Sequence, residues 1–313
     1  MAKVSIVGAG HVGATCAYTL VKNDVADVVL VDIVEGLAKG KSLDMMQAGA
    51  IEGYDRSITG TADYAQIEGS DIAIVTAGLA RQPGMSRSDL LCKNADILKV
   101  VLSNITLIAP EALIIIVTNP ADAMTQLAHK ATGYDSRRVL GMSGVLDSAR
   151  YKFFISQALG APMSSIEGMV IGAHGDTMLP VVSQTTVDGK PLAELLSQGK
   201  IDEIIHQTKF GGAEIVSYLK TGSAYYAPGA AAAKMAQAII NDTKEVLPCS
   251  VMAQGEYGVE GLYMGLPVRL GKDGAEGTVE IPLSAVETEA MLDSVKGAKT
   301  LLAELPEFKS IVI

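Results

Sequence analysis

The sequence predicts an α/β fold in two parts: a doubly wound parallel sheet over residues 1–143, then a mixed α+β region over residues 144–313. Three observations carry this. Short, largely apolar runs rich in β-branched residues recur through the first half, as strands buried on both faces require. Segments of helical length and composition separate them, so strand and helix alternate. The second half loses that alternation and carries hairpin and turn signals instead.

In chain order, the sheet takes strands from residues 4–7, 28–31, 72–76 and 113–118, and a short strand at 138–140 completes it. The intervening helices are expected at 12–22, 36–49 and 88–108. In the second half, residues 166–171 and 181–187 read as strands, the latter ending at the turn Asp188-Gly189. Residues 268–270 and 278–281 flank Gly271-Lys272-Asp273-Gly274 as a hairpin. Helices are expected at 147–159, 201–219, 230–247 and 283–302. The sequence shows no internal repeat, no low-complexity tract and no Pro/Gly/Ser-rich linker between the halves.

Composition narrows the function. Of 313 residues, 49% are hydrophobic and 19% charged, which supports a sizeable core and excludes dominant disorder. The net charge of −10, from 35 acidic and 25 basic residues, argues against broad electrostatic binding to nucleic acid or an anionic membrane. Cys16, Cys92 and Cys249 are widely spaced, with no CxxC and no disulfide ladder, which favours a reducing, cytoplasmic setting. Met1-Ala2-Lys3 enters an apolar run at once, and the longest apolar runs, such as 112–117, fall far short of a membrane span. Neither a targeting segment nor a metal site is expected.

Gly8-Ala9-Gly10-His11-Val12-Gly13 is G-x-G-x-x-G, placed between the first strand and the first helix. The first glycine permits the turn, the second admits a pyrophosphate, and the third lets helix and strand pack. The helix N-terminus adds unpaired N–H groups and a positive dipole end. Asp32 follows the second strand, 19 residues after Gly13. A carboxylate there accepts from a ribose 2′-OH and repels a 2′-phosphate, which points to NAD over NADP. His11 reads as a phosphate contact or as a solvated loop histidine. Cys16 reads as a small apolar helix residue.

Three further segments carry polar residues at element ends. Residues 76–87, Thr-Ala-Gly-Leu-Ala-Arg-Gln-Pro-Gly-Met-Ser-Arg, follow the third strand at the sheet edge where ligands bind. Gly78, Pro83 and Gly84 make this a loop of lid length carrying Arg81 and Arg87, which alone would read as solvated arginines. Asn119-Pro120 follows the next strand, where Asn119 serves as a donor to a substrate oxygen or as a turn former. Asp147 and Arg150 share a helix face three residues apart, as a site pair or a local ion pair. His174 lies in Gly172-Ala173-His174-Gly175-Asp176 after an apolar run, as a proton carrier or a satisfied structural histidine.

Together these segments closely resemble the lactate/malate dehydrogenases, specifically the malate dehydrogenases of lactate-dehydrogenase type. The matching signatures are residues 8–13, Asp32, residues 76–87, Val117-Thr118-Asn119-Pro120, Val145-Leu146-Asp147-Ser148-Ala149-Arg150 and residues 172–176, in family order over nearly the whole chain. The resemblance implies an NAD-binding Rossmann domain over residues 1–143 and a catalytic domain over residues 144–313. It implies a tricarboxylic acid cycle enzyme, cytoplasmic and homo-oligomeric, a tetramer or a dimer, acting on a small dicarboxylate with no nucleic-acid or membrane partner. NAD would be held by Gly8, Gly10, His11, Val12, Gly13, Asp32, Thr76, Gly78, Asn94, Val117 and Asn119.

The resemblance also implies the chemistry. His174 would exchange a proton with the substrate's C2 oxygen, oriented by Asp147. Arg150 would fork the C1 carboxylate. Arg87 would polarise the carbonyl, and Asn119 would help position the substrate. Arg81 takes the place where lactate enzymes carry Gln, so a second arginine meets a second carboxylate and penalises a neutral methyl. Arg81, not Gln82, sits at the family interval, six residues before Arg87. Ala224 aligns where lactate enzymes often have Thr and leaves room for the longer diacid.

Overall fold

The computed structural model describes residues 1–79 and 87–309, and it falls into two compact units. The first comprises Met1–Met142 with Tyr225–Glu245 and Leu270–Glu276. It begins β1 (Lys3–Val7), α1 (His11–Lys22), β2 (Asp27–Val31), α2 (Glu35–Glu52), β3 (Ile58–Thr61) and β4 (Ile72–Val75). It continues α3 (Arg87–Ile108), β5 (Leu113–Ile116), α4 (Ala121–Thr132) and β6 (Val139–Gly141).

These strands run parallel in the order β6-β5-β4-β1-β2-β3. Ile6, Leu30, Ile74 and Ile115 are fully buried, because the crossover helices cover both faces of a parallel sheet. The chain leaves β1 toward β2 and leaves β4 toward β5, in opposite directions. That reversal opens a crevice beyond their carboxyl ends.

The second unit holds Ser143–Ala224, Val246–Arg269 and the chain from Gly277 onward. It opens with α5 (Gly144–Leu159), β7 (Ile166–Glu167), β8 (Val170–Ile171), β9 (Leu179–Pro180) and β10 (Thr186–Val187). Then come β11 (Lys190–Pro191), α6 (Leu192–Leu195) and α7 (Gln198–Leu219). Next, α8 (Tyr226–Ile240) returns to the first unit, where Gly229 lets it press on Thr15 and Cys16 of α1. The chain ends with β12 (Val246–Gln254), β13 (Glu260–Gly271), β14 (Gly274–Thr278) and α9 (Ala285–Leu302). Of these, β12 and β13 pair antiparallel. Tyr151 and Ile155 of α5 pack with Ile201 and Ile204 of α7, Ile166, Val170 and Leu192. Each such buried side chain contributes about 1.5–3 kcal/mol. Among the described residues no helix is long and apolar enough to cross a membrane.

Several elements depart from the sequence expectations. The strand expected at 166–171 is two strands, β7 pairing with β10 and β8 with β9. Between them Gly168 passes so close to Thr185 and Tyr151 that a Cβ would lie 3.1 and 3.2 Å from them. Of 181–187 only β10 is a strand, after a 3₁₀ turn at Val182–Gln184. The helix expected to reach residue 247 stops at Ile240, because the chain takes positive φ at Asp242 and Lys244 and then enters β12. The second hairpin strand is β14, Gly274–Thr278, so of the strand expected at 278–281 only Thr278 is in a strand. Both β3 and α4 were absent from the sequence reading. β3 reads Ile-Thr-Gly-Thr, with no apolar run. It is held by α2, which comes so close that a Cβ on Gly60 would sit 2.2 Å from the Ala38 carbonyl oxygen.

Candidate active site

The glycine loop joins β1 to α1 at the crevice. Gly8 has φ +113°, a conformation L side chains rarely adopt, and a Cβ there would meet Thr76 and Ala77. A Cβ on Gly13 would lie 1.9 Å from the Gly8 carbonyl oxygen, so the third glycine is fixed by the loop's own closure. Gly10 has open space within 4 Å of a Cβ position. Among the described residues no acceptor pairs with the backbone N–H of Gly10, His11, Val12 or Gly13. A row of unpaired amides at a helix N-terminus fits a pyrophosphate. Asp32 accepts from Ala9 N at 2.7 Å and from Val34 N at 2.9 Å. A carboxylate offers about four lone-pair sites, so acceptors remain for ribose hydroxyls. The His11 ring is exposed and stacks on Tyr225, with centroids 4.8 Å apart.

The loops after β4 and β5 are stitched together. Thr76 Oγ1 donates to the Gly8 carbonyl at 3.0 Å, tying β4's end to the glycine loop. Val117 N donates to Val75 O at 2.9 Å, and Thr118 Oγ1 donates to Ala77 O at 2.7 Å. Gly78 lies against Thr118, where a Cβ would come within 2.8 Å of a methyl carbon. Buried Asn94 of α3 accepts from Leu79 N at 2.8 Å and donates to Asn119 O at 2.9 Å. The structure thus brings Gly8, Gly10, His11, Val12, Gly13, Asp32, Thr76, Gly78, Asn94, Val117 and Asn119 to the carboxyl edge of one sheet. Arg81, Gln82 and the side chain of Arg87 lie outside the described residues.

In the second unit, α5 places Asp147 and Arg150 on one face, and the chain after β8 brings His174 to them. His174 Nδ1 lies 2.7 Å from Asp147 Oδ2, and Arg150 Nη1 lies 3.4 Å from Asp147 Oδ1. Asp147 is 1% exposed and sits in the first turn of α5, where the helix dipole favours a negative charge. Arg150 is largely buried, its side chain 16% exposed. Burial pulls its guanidinium below the ordinary arginine value, and the Asp147 charge partly offsets this. Arginine stays charged regardless.

Sequence reading missed the residues that seat this cluster. Ser294 of α9, fully buried, accepts the N–H of Ala173 at 2.7 Å, one residue before His174. Gly172 and Gly265 exchange backbone hydrogen bonds of 2.8 and 3.0 Å, holding the same segment from the other side. A Cβ on Gly212 of α7 would lie 3.3 Å from Arg150 Nη2, so its absence leaves room for the guanidinium. Contacts this distant in sequence leave no local motif. Among the described residues no group of three or more His, Cys, Asp or Glu is arranged to hold a metal.

The chain matches the model of the lactate/malate dehydrogenase NAD-binding domain over residues 2–141. It matches the lactate/malate dehydrogenase alpha/beta C-terminal domain over residues 144–311. It is 50% identical over 306 residues to the malate dehydrogenase of Rhodopirellula baltica, covering 97% of each chain. The malate dehydrogenase of Cryptosporidium parvum has a similar structure, with TM-score 0.94, 42% identity and 99% of both chains covered. The lactate dehydrogenase of Cryptosporidium parvum, complexed with lactic acid and β-nicotinamide adenine dinucleotide, reaches TM-score 0.93 at 41% identity, over 97% of this chain and 99% of that one. With both domain models matched in order, the chain belongs to the lactate/malate dehydrogenase family, and its first unit carries that family's NAD-binding domain.

Proposed function

We propose that the chain catalyses the reversible oxidation of (S)-malate to oxaloacetate with NAD. One observation carries most weight: the largely buried Arg150 stands beside the His174–Asp147 pair with a single hydrogen bond among the described residues. A guanidinium has five N–H donors. Those left over form a fork suited to a carboxylate.

When bound, NAD supplies hydride acceptance and return. The remaining tasks belong to the chain. Asp147 accepts from His174 Nδ1, fixes the tautomer and stabilises the imidazolium. Nε2 then takes the C2 hydroxyl proton during oxidation and returns it during reduction. Arg150 holds the C1 carboxylate. Arg87 polarises the C2 oxygen, Asn119 positions the substrate, and Asn94 acts through Asn119. Arg81 pairs with the second carboxylate. The glycine loop, Thr76, Gly78 and Val117 shape the cofactor cleft, and Asp32 takes the ribose.

Fold likeness does not separate malate from lactate chemistry, since relatives of both names share this fold. The test is NADH consumption with oxaloacetate and with pyruvate, side by side, and with NADPH as control. A large preference for oxaloacetate with NADH is expected, and preference for pyruvate would establish the lactate reading instead. Arg81→Gln should shift the preference toward pyruvate by roughly two orders of magnitude, the scale of an unpaired buried charge. An unchanged preference would remove Arg81 from the selecting role.

The same reading makes the enzyme a cytoplasmic homotetramer or homodimer in the tricarboxylic acid cycle. Free thiols at Cys16, Cys92 and Cys249 agree with a reducing setting. Exposed Leu43, Met46 and Ile51 on α2 offer apolar surface for a second copy. Light scattering at working concentration decides between the two assemblies, and a monomer there would end this part of the reading.

A further inference from the structure

The peptide groups flanking Ala9 are gripped by three elements. Asp32, after β2, accepts the Ala9 N–H at 2.7 Å. Thr76, after β4, donates to the Gly8 carbonyl at 3.0 Å. Lys41, from α2, donates from Nζ to the Ala9 carbonyl at 2.8 Å.

A trans peptide is planar, so its C=O and N–H point in opposite directions. Asp32 and Thr76 therefore hold the two ends of the Gly8–Ala9 peptide. Lys41 holds the carbonyl end of the next peptide, Ala9–Gly10. The other end of that peptide is the Gly10 N–H, which has no acceptor among the described residues. Fixing the carbonyl fixes where this amide points.

We infer that Lys41 is a positioning residue for the cofactor: by holding the Ala9 carbonyl it aims the Gly10 amide at the pyrophosphate of NAD. The inference rests on the NAD reading of the loop. Lys41 behaves unlike its neighbour Lys39, which pairs with Glu35 on the exposed face of α2. Lys41 turns inward, and among the described residues its one hydrogen bond goes to the glycine loop. Burial lowers the affinity of its amine for the proton, and the nearby Asp32 charge works against that. Helix α2 thus delivers a cation to a backbone carbonyl, where it fixes direction instead of neutralising a carboxylate.

The test is Lys41→Met, with Lys41→Arg as the conservative variant and Lys41→Gln as a donor without charge. NADH binding is followed by fluorescence titration, and ADP-ribose and adenosine by competition. Lys41→Met should weaken NADH and ADP-ribose by roughly ten- to a hundredfold, the scale of one charge-assisted hydrogen bond. Adenosine, lacking the pyrophosphate, should bind as before. At saturating NADH, kcat should stay within about twofold of wild type, so the loss falls on KM. Arg should restore most of the affinity, and Gln part of it. Unchanged NADH affinity in a folded Lys41→Met protein would overturn the inference. So would an equal loss for adenosine, which means general damage to the cleft. A wild-type chain that bound neither NADH nor ADP-ribose would instead overturn the NAD reading, and the inference with it.

Discussion

The two units put charged side chains to different uses. In the first, Asp32 and Lys41 bind peptide groups and so set the directions of backbone amides. In the second, Asp147 binds two side chains, His174 and Arg150. Under the proposed function, the difference follows from the task. A pyrophosphate is recognised by amides, so orientation matters most and the guiding charges stay near water. A proton is moved by a side chain, so its partner is withdrawn from water, where the interaction is least screened. The first arrangement should govern affinity and the second turnover.

Variants can break or sharpen that division. The largest effect is expected from His174→Asn, which should lower kcat by about 10²–10⁴-fold while NADH affinity stays constant. Turnover near the wild-type rate would exclude the proposed proton transfer. Arg150→Lys keeps the charge and loses the planar fork. It should raise KM for oxaloacetate by roughly tenfold or more, again without changing NADH binding. A changed NADH affinity would show that the division fails. The smallest effect belongs to Ser294→Ala, which leaves the buried Ala173 N–H unpaired at a cost of about 1–3 kcal/mol. It should lower Tm and reduce kcat severalfold, and Ser294→Thr should recover part of both. A drop in Tm with full kcat would make Ser294 purely structural.

The parallel strands and the glycine loop were legible because their causes are local. A buried parallel strand is a compact apolar run, and Gly8, Gly10 and Gly13 answer to the shape of one turn. Asp147 and Arg150 were legible as a face, three residues apart. Their meeting with His174 was not, since it depends on where the chain after β8 returns; the family resemblance supplied that. Ser294 and Gly212 carry no local mark. β3 escaped because Thr and Gly interrupt its pattern, and Gly60 serves contact with α2 instead of strand propensity. The overlong helix before β12 had the opposite cause: an apolar run continued past a turn whose positive φ values fall on Asp242 and Lys244, not on glycine.

The bond between Ala173 and Ser294 spans 121 residues, and it sets an order of events during synthesis. At about 5–20 residues per second, roughly 6–24 s separate the making of its two ends. Through that interval the segment bearing His174 lacks the acceptor that seats it. A chain cut short before α9 would keep its glycine loop and lose this seat, so premature termination should yield a protein that holds cofactor and turns over poorly. The ribosome therefore supplies the seat of the proposed proton-transfer centre last, after the residues of the dinucleotide cleft have been made.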